Sequence, residues 1–324
     1  MSYAYLDWNV INKIEKIATL PPTEAKVLQL IEQHILDSKI TVPYSNAHIS
    51  DLHRGYIKNP SFTPAHLATI RRLTHDLCIV QYWGEKDVRW HYRDPEEFLR
   101  STTEDSDRMT TSFAELMNFD DDPTISALNN IRNTLLSLQP VPAAFKQIYA
   151  ADPIFNLMYP RTKASMNMLA LCEDIYDFSN KIKEDYTLYK HYRKYLTQCK
   201  LKYQQLRKAI SEAEKAFLSN PAYLTWDGMW DEVIANTHQT TTSNVTYDKM
   251  FSLFTTTDLR GYRQDERFAN LIDDALHTFY AAHCDYFLTL DSRCYDKAKR
   301  VYDKLKIATK VFTPEEFVLY ITKE

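Results

Sequence analysis

Glycine is scarce in this chain of 324 residues, which contains only four. They stand at widely separated positions: Gly55, Gly84, Gly228 and Gly261. Walker-type phosphate loops, dinucleotide-binding fingerprints and the nucleophile elbow of serine hydrolases all need closely spaced glycines, because the backbone there turns sharply or approaches a ligand. The sequence therefore excludes these classes of nucleotide-binding protein and hydrolase.

Paired cysteines and long apolar runs are also missing. The five cysteines are scattered, odd in number and include no C-x-x-C pair, which argues against a disulfide framework or a zinc ribbon. No apolar run approaches the ~18 residues of a membrane helix. The first residues lack the basic segment and apolar core of a signal peptide. We therefore expect a cytoplasmic protein with no membrane partner.

Two short apolar segments at opposite ends of the chain each finish on an aspartate. Residues 4–6 precede Asp7, and residues 286–290 precede Asp291. A carboxylate at the tip of a buried strand is costly unless it is paired, and clustered carboxylates commonly pair with a hard divalent cation. Each aspartate also stands where it can cap the following helix, a role that stabilises by roughly 1 kcal/mol. The pattern alone leaves both interpretations open.

Strands and helices alternate at both ends of the chain, whereas the middle is helical and polar. The alternation predicts one α/β domain with a mainly parallel sheet, interrupted by a large helical insertion. We place the two parts of this domain at residues 1–93 and 262–324, with the insertion at 94–261. Within the first part we expect a strand over 39–44, then a helix that Gly55 ends.

The insertion is expected to contain its longest helical element at residues 164–219. Apolar and aromatic residues alternate three and four apart from Tyr192 onward, which predicts a helical hairpin or coiled coil that binds a protein partner or a second copy. Residues 181–208 carry nine Lys or Arg against two acidic residues. Such a helix could track a phosphate backbone, or could simply be a solvated face. The candidate nucleic-acid-binding residues are Lys190, Arg193, Lys194, Lys200 and Arg207.

Four motifs of this chain resemble the successive motifs of PIN-domain nucleases in order and spacing. They are Leu-Asp-Trp-Asn at 6–9, Val-Pro-Tyr-Ser-Asn-Ala-His-Ile-Ser-Asp at 42–51, Asp-Asp-Ala-Leu-His at 273–277 and Phe-Leu-Thr-Leu-Asp at 287–291. The closing segment 312–317 is also similar to the end of many PIN chains. The resemblance covers roughly residues 1–90 and 262–324, and it does not extend to the insertion.

The resemblance implies a PIN-like three-layer α/β domain and a metal-dependent endonuclease, most often one that acts on RNA with Mg²⁺ or Mn²⁺. By position, it assigns four acidic ligands, Asp7, Asp51, Asp274 and Asp291, and two polar helpers, Asn9 and Thr289. The family more often has Glu at position 51, and Asp273 competes with Asp274 for the third acidic position. A bacterial toxin or antiphage effector is a setting in which such domains often serve.

Two other functions agree with the same residues. In one, the α/β core is a scaffold without catalysis, and the heptad-rich insertion binds a partner. In the other, the metal site is the same but the substrate is DNA. Fold-level resemblance cannot separate these, because one fold hosts many functions.

Overall fold

The computed structural model describes residues 2–82, 85, 87–107, 123–141, 146–147, 149–150, 153–198 and 247–323. The chain divides into two compact units. The first comprises Met1–Asp107, Gln239–Asp265 and Asn270–Glu324, and the second comprises Arg108–His238 and Glu266–Ala269. Residues 94–107 and 239–261, which the sequence analysis assigned to the insertion, thus belong to the first unit. They do so because their helices pack on helices of the core.

A four-stranded parallel sheet forms the centre of the first unit, in the order β2-β1-β6-β7. Its strands are β1 (Ser2–Leu6), β2 (Ile40–Thr41), β6 (Tyr286–Leu288) and β7 (Lys310–Phe312). The strand that opens the chain therefore pairs directly with a strand near its end, with Leu6 opposite Leu288. The predicted α/β class with a parallel sheet is confirmed.

A second sheet has the order β3-β4-β5, with strands β3 (Tyr44–Ser45), β4 (Leu77–Val80) and β5 (Arg89–Tyr92). β3 pairs with β4 in parallel, and β5 pairs with β4 in the antiparallel sense. The single strand predicted over 39–44 is wrong, because Val42 and Pro43 separate β2 from β3. Proline has no N–H to donate to a strand ladder, so the segment pairs with different neighbours on either side of it.

The helices of the first unit surround these strands. They are α1 (Trp8–Glu15), α2 (Pro22–Leu36), α3 (Asn46–Lys58), α4 (Thr63–Thr74), α5 (Pro95–Asp107), α11 (Tyr247–Leu259), α12 (Phe268–Ala281), α13 (Ser292–Leu305) and α14 (Pro314–Ile321). One face of α2, with Leu28, Ile31 and Ile35, is buried in a core that also holds Leu6 and Leu288. The arrangement is compatible with a three-layer α/β fold.

Gly55 does not end α3, contrary to the sequence-based expectation. The helix continues to Lys58, and Asn59 in an extended conformation precedes Pro60. A glycine ends a helix by adopting a left-handed conformation. Gly55 instead lies within α3. Its Cβ position is open, with no atom within 4 Å. Proline after the last turn is the stop signal here.

The second unit is described as separate helices rather than one long element. They are α6 (Pro123–Leu138), α7 (Pro153–Met158), α8 (Pro160–Ser165), α9 (Met168–Glu184) and α10 (Tyr186–Gln198). Left-handed Met166 ends α8, and extended Asp185 separates α9 from α10, so the continuous helix predicted from residue 164 is wrong over its described part. The heptad pattern beyond residue 198 lies outside the described residues. Within the described ranges, no helix is both long and apolar enough to cross a membrane.

Candidate metal centre

Asp7 stands directly after β1, at the carboxyl end of the central strand. Its N–H donates to the carbonyl oxygen of Leu288 at 2.9 Å, and its own carbonyl accepts from Val10 at 2.9 Å. The residue occupies the N-cap position of α1, yet its side chain makes no capping hydrogen bond. The carboxylate is instead buried, with only 5% of the residue exposed. Helix capping therefore does not account for this carboxylate.

Thr289 and Asn9 hold the Asp7 carboxylate in place. Thr289 Oγ1 donates to Asp7 Oδ2 at 2.5 Å, and Asn9 Nδ2 donates to the same oxygen at 2.7 Å. Asn9 Oδ1 in turn accepts from the N–H of Leu290 at 3.0 Å. Burial raises the pKa of Asp7, as does the charge of Asp51, while His277 and Thr289 partly oppose this. The two predicted polar helpers are thus in contact with the first predicted acid.

Asp291 follows β6 and does cap a helix. Its Oδ1 accepts from the N–H groups of Arg293 at 2.7 Å and Cys294 at 3.0 Å, at the start of α13. The side chain is exposed, and its charge still raises the pKa of both Asp7 and Asp274. Helix capping therefore accounts for Oδ1 of Asp291. The charge of this carboxylate also acts on Asp7 and Asp274.

Asp274 has a buried oxygen without a hydrogen bond. The side chain as a whole is 16% exposed, but its Oδ2 is buried and has no hydrogen-bond partner. The ammonium of Lys297 stands 3.8 Å from this oxygen. Burial raises the pKa of Asp274 well above its ordinary value, and the charges of Asp265 and Asp7 raise it further. An unsatisfied buried carboxylate oxygen is rare and costly, so it needs an explanation.

Asp51 is neutralised by groups of the protein itself. His277 Nε2 lies 2.8 Å from Asp51 Oδ2, and Arg54 hydrogen-bonds to Asp51 Oδ1. Burial by itself raises the pKa of Asp51, but His277 and Arg54 bring the net shift below its ordinary value. Arg54 also pairs with Asp273. Of the two adjacent acids that compete for the third position, Asp273 is therefore ion-paired and Asp274 faces the other carboxylates.

Two buried histidines lie beneath these carboxylates. His48 Nε2 must donate to the carbonyl oxygen of Leu6, at 2.8 Å, because a carbonyl only accepts, and Nδ1 then accepts from the N–H of Ser45 at 3.0 Å. Burial lowers the pKa of His48 to about 3, so this ring is neutral. His277 Nδ1 lies 2.9 Å from the hydroxyl of Tyr5.

The net pKa of His277 is raised. Burial lowers it, but the hydrogen bond that His277 donates to Asp51 and the charge of Asp7, whose Oδ1 is 3.9 Å away, outweigh burial. His277 therefore lies between two carboxylates that favour its protonated form. This residue was not among the predicted site residues. The sequence feature that could have identified it is its position three residues after Asp274, because this spacing puts both side chains on one face of α12.

Lys297 on α13 is a second buried cation, fully excluded from solvent. Its ammonium hydrogen-bonds to Asp265 and, at 3.0 Å, to Asp258 Oδ2, and it lies 4.8 Å from the ring centre of Phe254. Burial lowers the pKa of Lys297, and the three carboxylates of Asp265, Asp274 and Asp258 raise it above its ordinary value. The sequence analysis also missed this group, since none of its partners is near it in sequence.

The electrostatic surroundings of one thiol show that these groups converge. Burial raises the pKa of Cys294 well above its ordinary value, and the charges of Asp274, Asp7 and Asp291 raise it further, while Lys297 lowers it. The charges of three of the four predicted acids and of the buried lysine thus all affect the pKa of one buried thiol on α13, that of Cys294. Residues from both ends of the chain form one cluster at the carboxyl ends of β1 and β6.

Comparison with known proteins adds no assignment. No family model, no curated protein and no solved structure matches this chain. The chemistry of the cluster is therefore argued from its own geometry and charge.

Carboxylate oxygens are the ligands that Mg²⁺ and Mn²⁺ prefer. Asp7, Asp274 and Asp291 fit such an ion, because their charges repel one another and one buried oxygen of Asp274 lacks a partner. Asp51 fits less well, since both its oxygens are engaged. Among the described residues, no three His, Cys, Asp or Glu side chains are already arranged to hold a metal ion. Uptake of an ion therefore requires carboxylates to rotate.

The predicted nucleic-acid-binding residues lie in the second unit. Lys190 is exposed on α10, and the guanidinium of Arg193 lies over the ring of Tyr189, 5.1 Å from its centre. The side chain of Lys194, and all of Lys200 and Arg207, lie outside the described residues. The ring of Tyr189 is fully buried, so it cannot stack on a base, and α10 offers a phosphate backbone only the positive charges of Lys190 and Arg193.

Proposed function

We propose that this chain is a PIN-like endoribonuclease that hydrolyses phosphodiester bonds in RNA with Mg²⁺ or Mn²⁺. The observation that carries the proposal is the buried Oδ2 of Asp274, which has no hydrogen-bond partner, in a cluster of mutually repelling carboxylates. The topology supports it, because the first strand and a strand near the end of the chain are neighbours and present Asp7 and Asp291 at one edge. Ligands of parallel sheets bind at that edge.

Three aspartates would hold the ion: Asp7, Asp274 and Asp291. A bound Mg²⁺ or Mn²⁺ supplies Lewis acidity toward a phosphoryl oxygen and activates water for in-line attack. Thr289 and Asn9 fix the orientation of Asp7 through hydrogen bonds to its Oδ2. Hydrolysis of this class leaves a 5′-phosphate and a 3′-hydroxyl.

The positions of Asp51 and Asp273 give both of them a supporting role. Arg54 bridges the two carboxylates, and His277 donates to Asp51. This pairing removes two negative charges from the neighbourhood of Asp7, so that a phosphate group meets less repulsion. We therefore assign Asp51 to the positioning of His277 rather than to direct metal ligation.

RNA is the proposed substrate, and α10 supports binding of a single strand. Lys190, which is exposed, and Arg193 supply positive charge for phosphate groups. The overall charge of −4 is no obstacle, because a local basic patch and a bound metal ion supply the attraction. A cytoplasmic location agrees with the four free cysteines among the described residues. A role as a toxin or antiphage effector rests on the family resemblance alone.

One observation favours a second candidate, a non-catalytic scaffold that binds a partner. Arg54 pairs with two aspartates and Lys297 with three, so much of the negative charge is compensated inside the protein. Networks of this kind also occur as purely structural ion pairs. In this alternative, the acids hold helices together and the second unit carries the function.

Cleavage assays separate the two candidates. Wild-type protein, Asp7→Asn and Asp291→Asn are incubated with Mn²⁺ and matched structured and unstructured RNAs, with DNA of the same sequence as a parallel substrate. The proposal expects cleavage of RNA by the wild type alone, and inhibition by chelator. If all three proteins are equally inert on every RNA, the nuclease proposal fails and the scaffold stands. If the wild type cleaves DNA as well as it cleaves RNA, the proposed restriction of the substrate to RNA fails.

A further inference from the structure

Arg132 of α6 is a charged residue buried in the second unit, with only 8% of the residue exposed. Its Nη2 donates to Asn133 Oδ1 at 3.0 Å, whereas its Nε and Nη1 are buried and have no hydrogen-bond partner. Buried nitrogens without a partner are rare and costly in folded proteins. We propose that Arg132 forms a binding site for a small carboxylate anion. The inference goes beyond the proposed nuclease activity, because no residue of the candidate metal centre enters it.

No anionic side chain of the described residues neutralises this guanidinium. Burial lowers the pKa of Arg132, and the only described side chain whose charge opposes this is that of Cys172 on α9. Burial raises the pKa of the Cys172 thiol, which therefore stays protonated at neutral pH and supplies no counter-charge. Arginine itself remains charged. A buried cation without a counter-ion is strongly destabilising, so an anion from solution supplies the missing partner.

Two other cations of the chain show what Arg132 lacks. Arg161 of α8, in the same unit, is exposed and still pairs with Asp177 at 2.8 Å. Lys297 in the first unit is fully buried and pairs with Asp258 at 3.0 Å. Arg132 is nearly as buried as Lys297 but has no carboxylate of the described residues beside it. Its position is therefore that of a cation whose counter-ion is a ligand.

The charge and shape of the guanidinium define the class of ligand. A single positive charge is balanced by a monoanion, whereas a phosphate dianion would leave one negative charge in a covered site. A guanidinium is planar and matches the planar pair of oxygens of a carboxylate. Arg132 has two nitrogens without an acceptor, and a carboxylate supplies two acceptor oxygens. A monocarboxylate therefore fits the site better than a phosphate group.

The neighbours of Arg132 limit the size of the ligand. α6 and α9 pack against each other, and Leu136 and Leu171, one from each helix, are buried in the same apolar cluster. Leu136 lies four residues after Arg132 on the same face of α6. These apolar side chains exclude water, which strengthens the attraction of the guanidinium for an anion. Cys172 is partly exposed, so the site lies close to the surface and admits a small solute such as acetate.

Saturation-transfer NMR of the full chain with sodium acetate tests the site. Methyl phosphate, which is a dianion at pH 8, is the comparison at equal ionic strength. We expect acetate to bind to the wild type, and methyl phosphate to bind about 10-fold more weakly because one of its charges stays unbalanced. An absence of acetate binding would overturn the site. Methyl phosphate that binds as tightly as acetate would overturn the carboxylate as the class of ligand.

Two variants locate the binding at Arg132. Arg132→Met removes the guanidinium, and Arg161→Met is the control, because Arg161 is an exposed arginine of the same unit. We expect only Arg132→Met to lose acetate binding. Without acetate, it should unfold at a temperature no lower than that of the wild type, because an uncompensated buried charge is removed. Acetate binding that persists in Arg132→Met, or a clearly lower unfolding temperature of this variant, would contradict the proposal.

Arg132→Lys decides the question if Arg132→Met does not fold. Lysine keeps the positive charge but lacks the planar guanidinium, so we expect acetate to bind about 10-fold more weakly than to the wild type. An unchanged affinity for acetate in this variant would overturn the role of the guanidinium. The RNA-cleavage assays are independent of these titrations, so failure of one proposal leaves the other standing.

Discussion

Thr289 Oγ1 donates a hydrogen bond of 2.5 Å to Asp7 Oδ2, although the two residues stand 282 positions apart in the chain. The bond joins the ends of two neighbouring parallel strands, β1 and β6. Because Asp7 is buried and makes no capping bond to α1, this hydroxyl is one of two groups that satisfy its carboxylate. The contact therefore links the two terminal parts of the candidate site directly.

Thr289→Val should weaken both the fold and the site. The change keeps the shape of the side chain but leaves a buried carboxylate with one bond fewer, which costs about 1–3 kcal/mol. Urea unfolding measures the loss. Thr74→Val is the matched control, since the Thr74 hydroxyl is also buried but donates only to a carbonyl within its own helix. Equal losses of unfolding free energy in both variants would show that the bond to Asp7 stabilises the fold no more than a hydrogen bond within a helix.

Asp7 and Asp291 should respond differently to neutralisation. Burial raises the pKa of Asp7, so its ionised form opposes folding, and Asp7→Asn should leave metal-free stability unchanged or raised. Asp291→Ala removes the cap of α13 and should cost about 1 kcal/mol. Thermal unfolding in the presence of chelator compares the two. A clear loss of stability in Asp7→Asn would mean that its carboxylate is structural.

The buried neutral ring of His48 predicts a particular dependence on pH. The pKa of His48 is lowered to about 3 in the fold and lies near 6.5 in the unfolded chain. Between these values the unfolded state binds the proton, so stability falls as pH falls through this window. From pH 7 to pH 5 this single group should remove about 2 kcal/mol.

The pH prediction is checked with His48→Gln, which has no titrating ring. Urea unfolding at pH 7 and pH 5 should show a smaller fall in stability for this variant than for the wild type. The depressed pKa of His283 acts in the same direction in both proteins, so it cancels in the comparison. An identical fall in the two proteins would mean that His48 is protonated within the fold.

The fold class could be read from the sequence, whereas several element boundaries could not. The alternating apolar segments at both ends identify β1, β6 and β7, because a buried parallel strand requires a short apolar run. The separation of β2 from β3 depends on which neighbour each side of Pro43 meets, which is a tertiary property. The break at Asp185 was also missed, since its local signal is only the side-chain cap that Asp185 gives the next helix.

Part of the candidate site was also within reach of the sequence. Asp7, Asn9 and Thr289 were named by their motifs, and the structure brings them into contact. Arg54 and Lys297 were not named. Lys297 binds acids in other segments, and Arg54 also binds Asp273, 219 positions away. The pair of Asp51 and Arg54 has the i,i+3 spacing of a helix, whereas the contact of Asp51 with His277 joins remote segments and has no periodic signal.

The basic surface of α10 predicts a salt-dependent affinity for RNA. Each lysine or arginine that neutralises a phosphate of a single strand contributes about 0.7 to the slope of log K against log salt. Replacing Lys190 and Arg193 with alanine should therefore reduce the slope by about 1.4. Lys163→Ala, an exposed lysine of α8, is the control. An unchanged slope in the double variant would remove α10 from the RNA-binding surface.

The rate of Mn²⁺-dependent RNA cleavage by Asp274→Asn tests the central claim most directly, because Asp274 carries the buried oxygen that has no hydrogen-bond partner. The control is Asp303→Asn, an exposed aspartate of α13. The account predicts RNA cleavage by the wild type and Asp303→Asn, with 5′-phosphate products, and a rate at least about 100-fold lower for Asp274→Asn, as when several kcal/mol of transition-state stabilisation are lost. Cleavage by Asp274→Asn at the wild-type rate, or no cleavage by any of the three proteins, would contradict it.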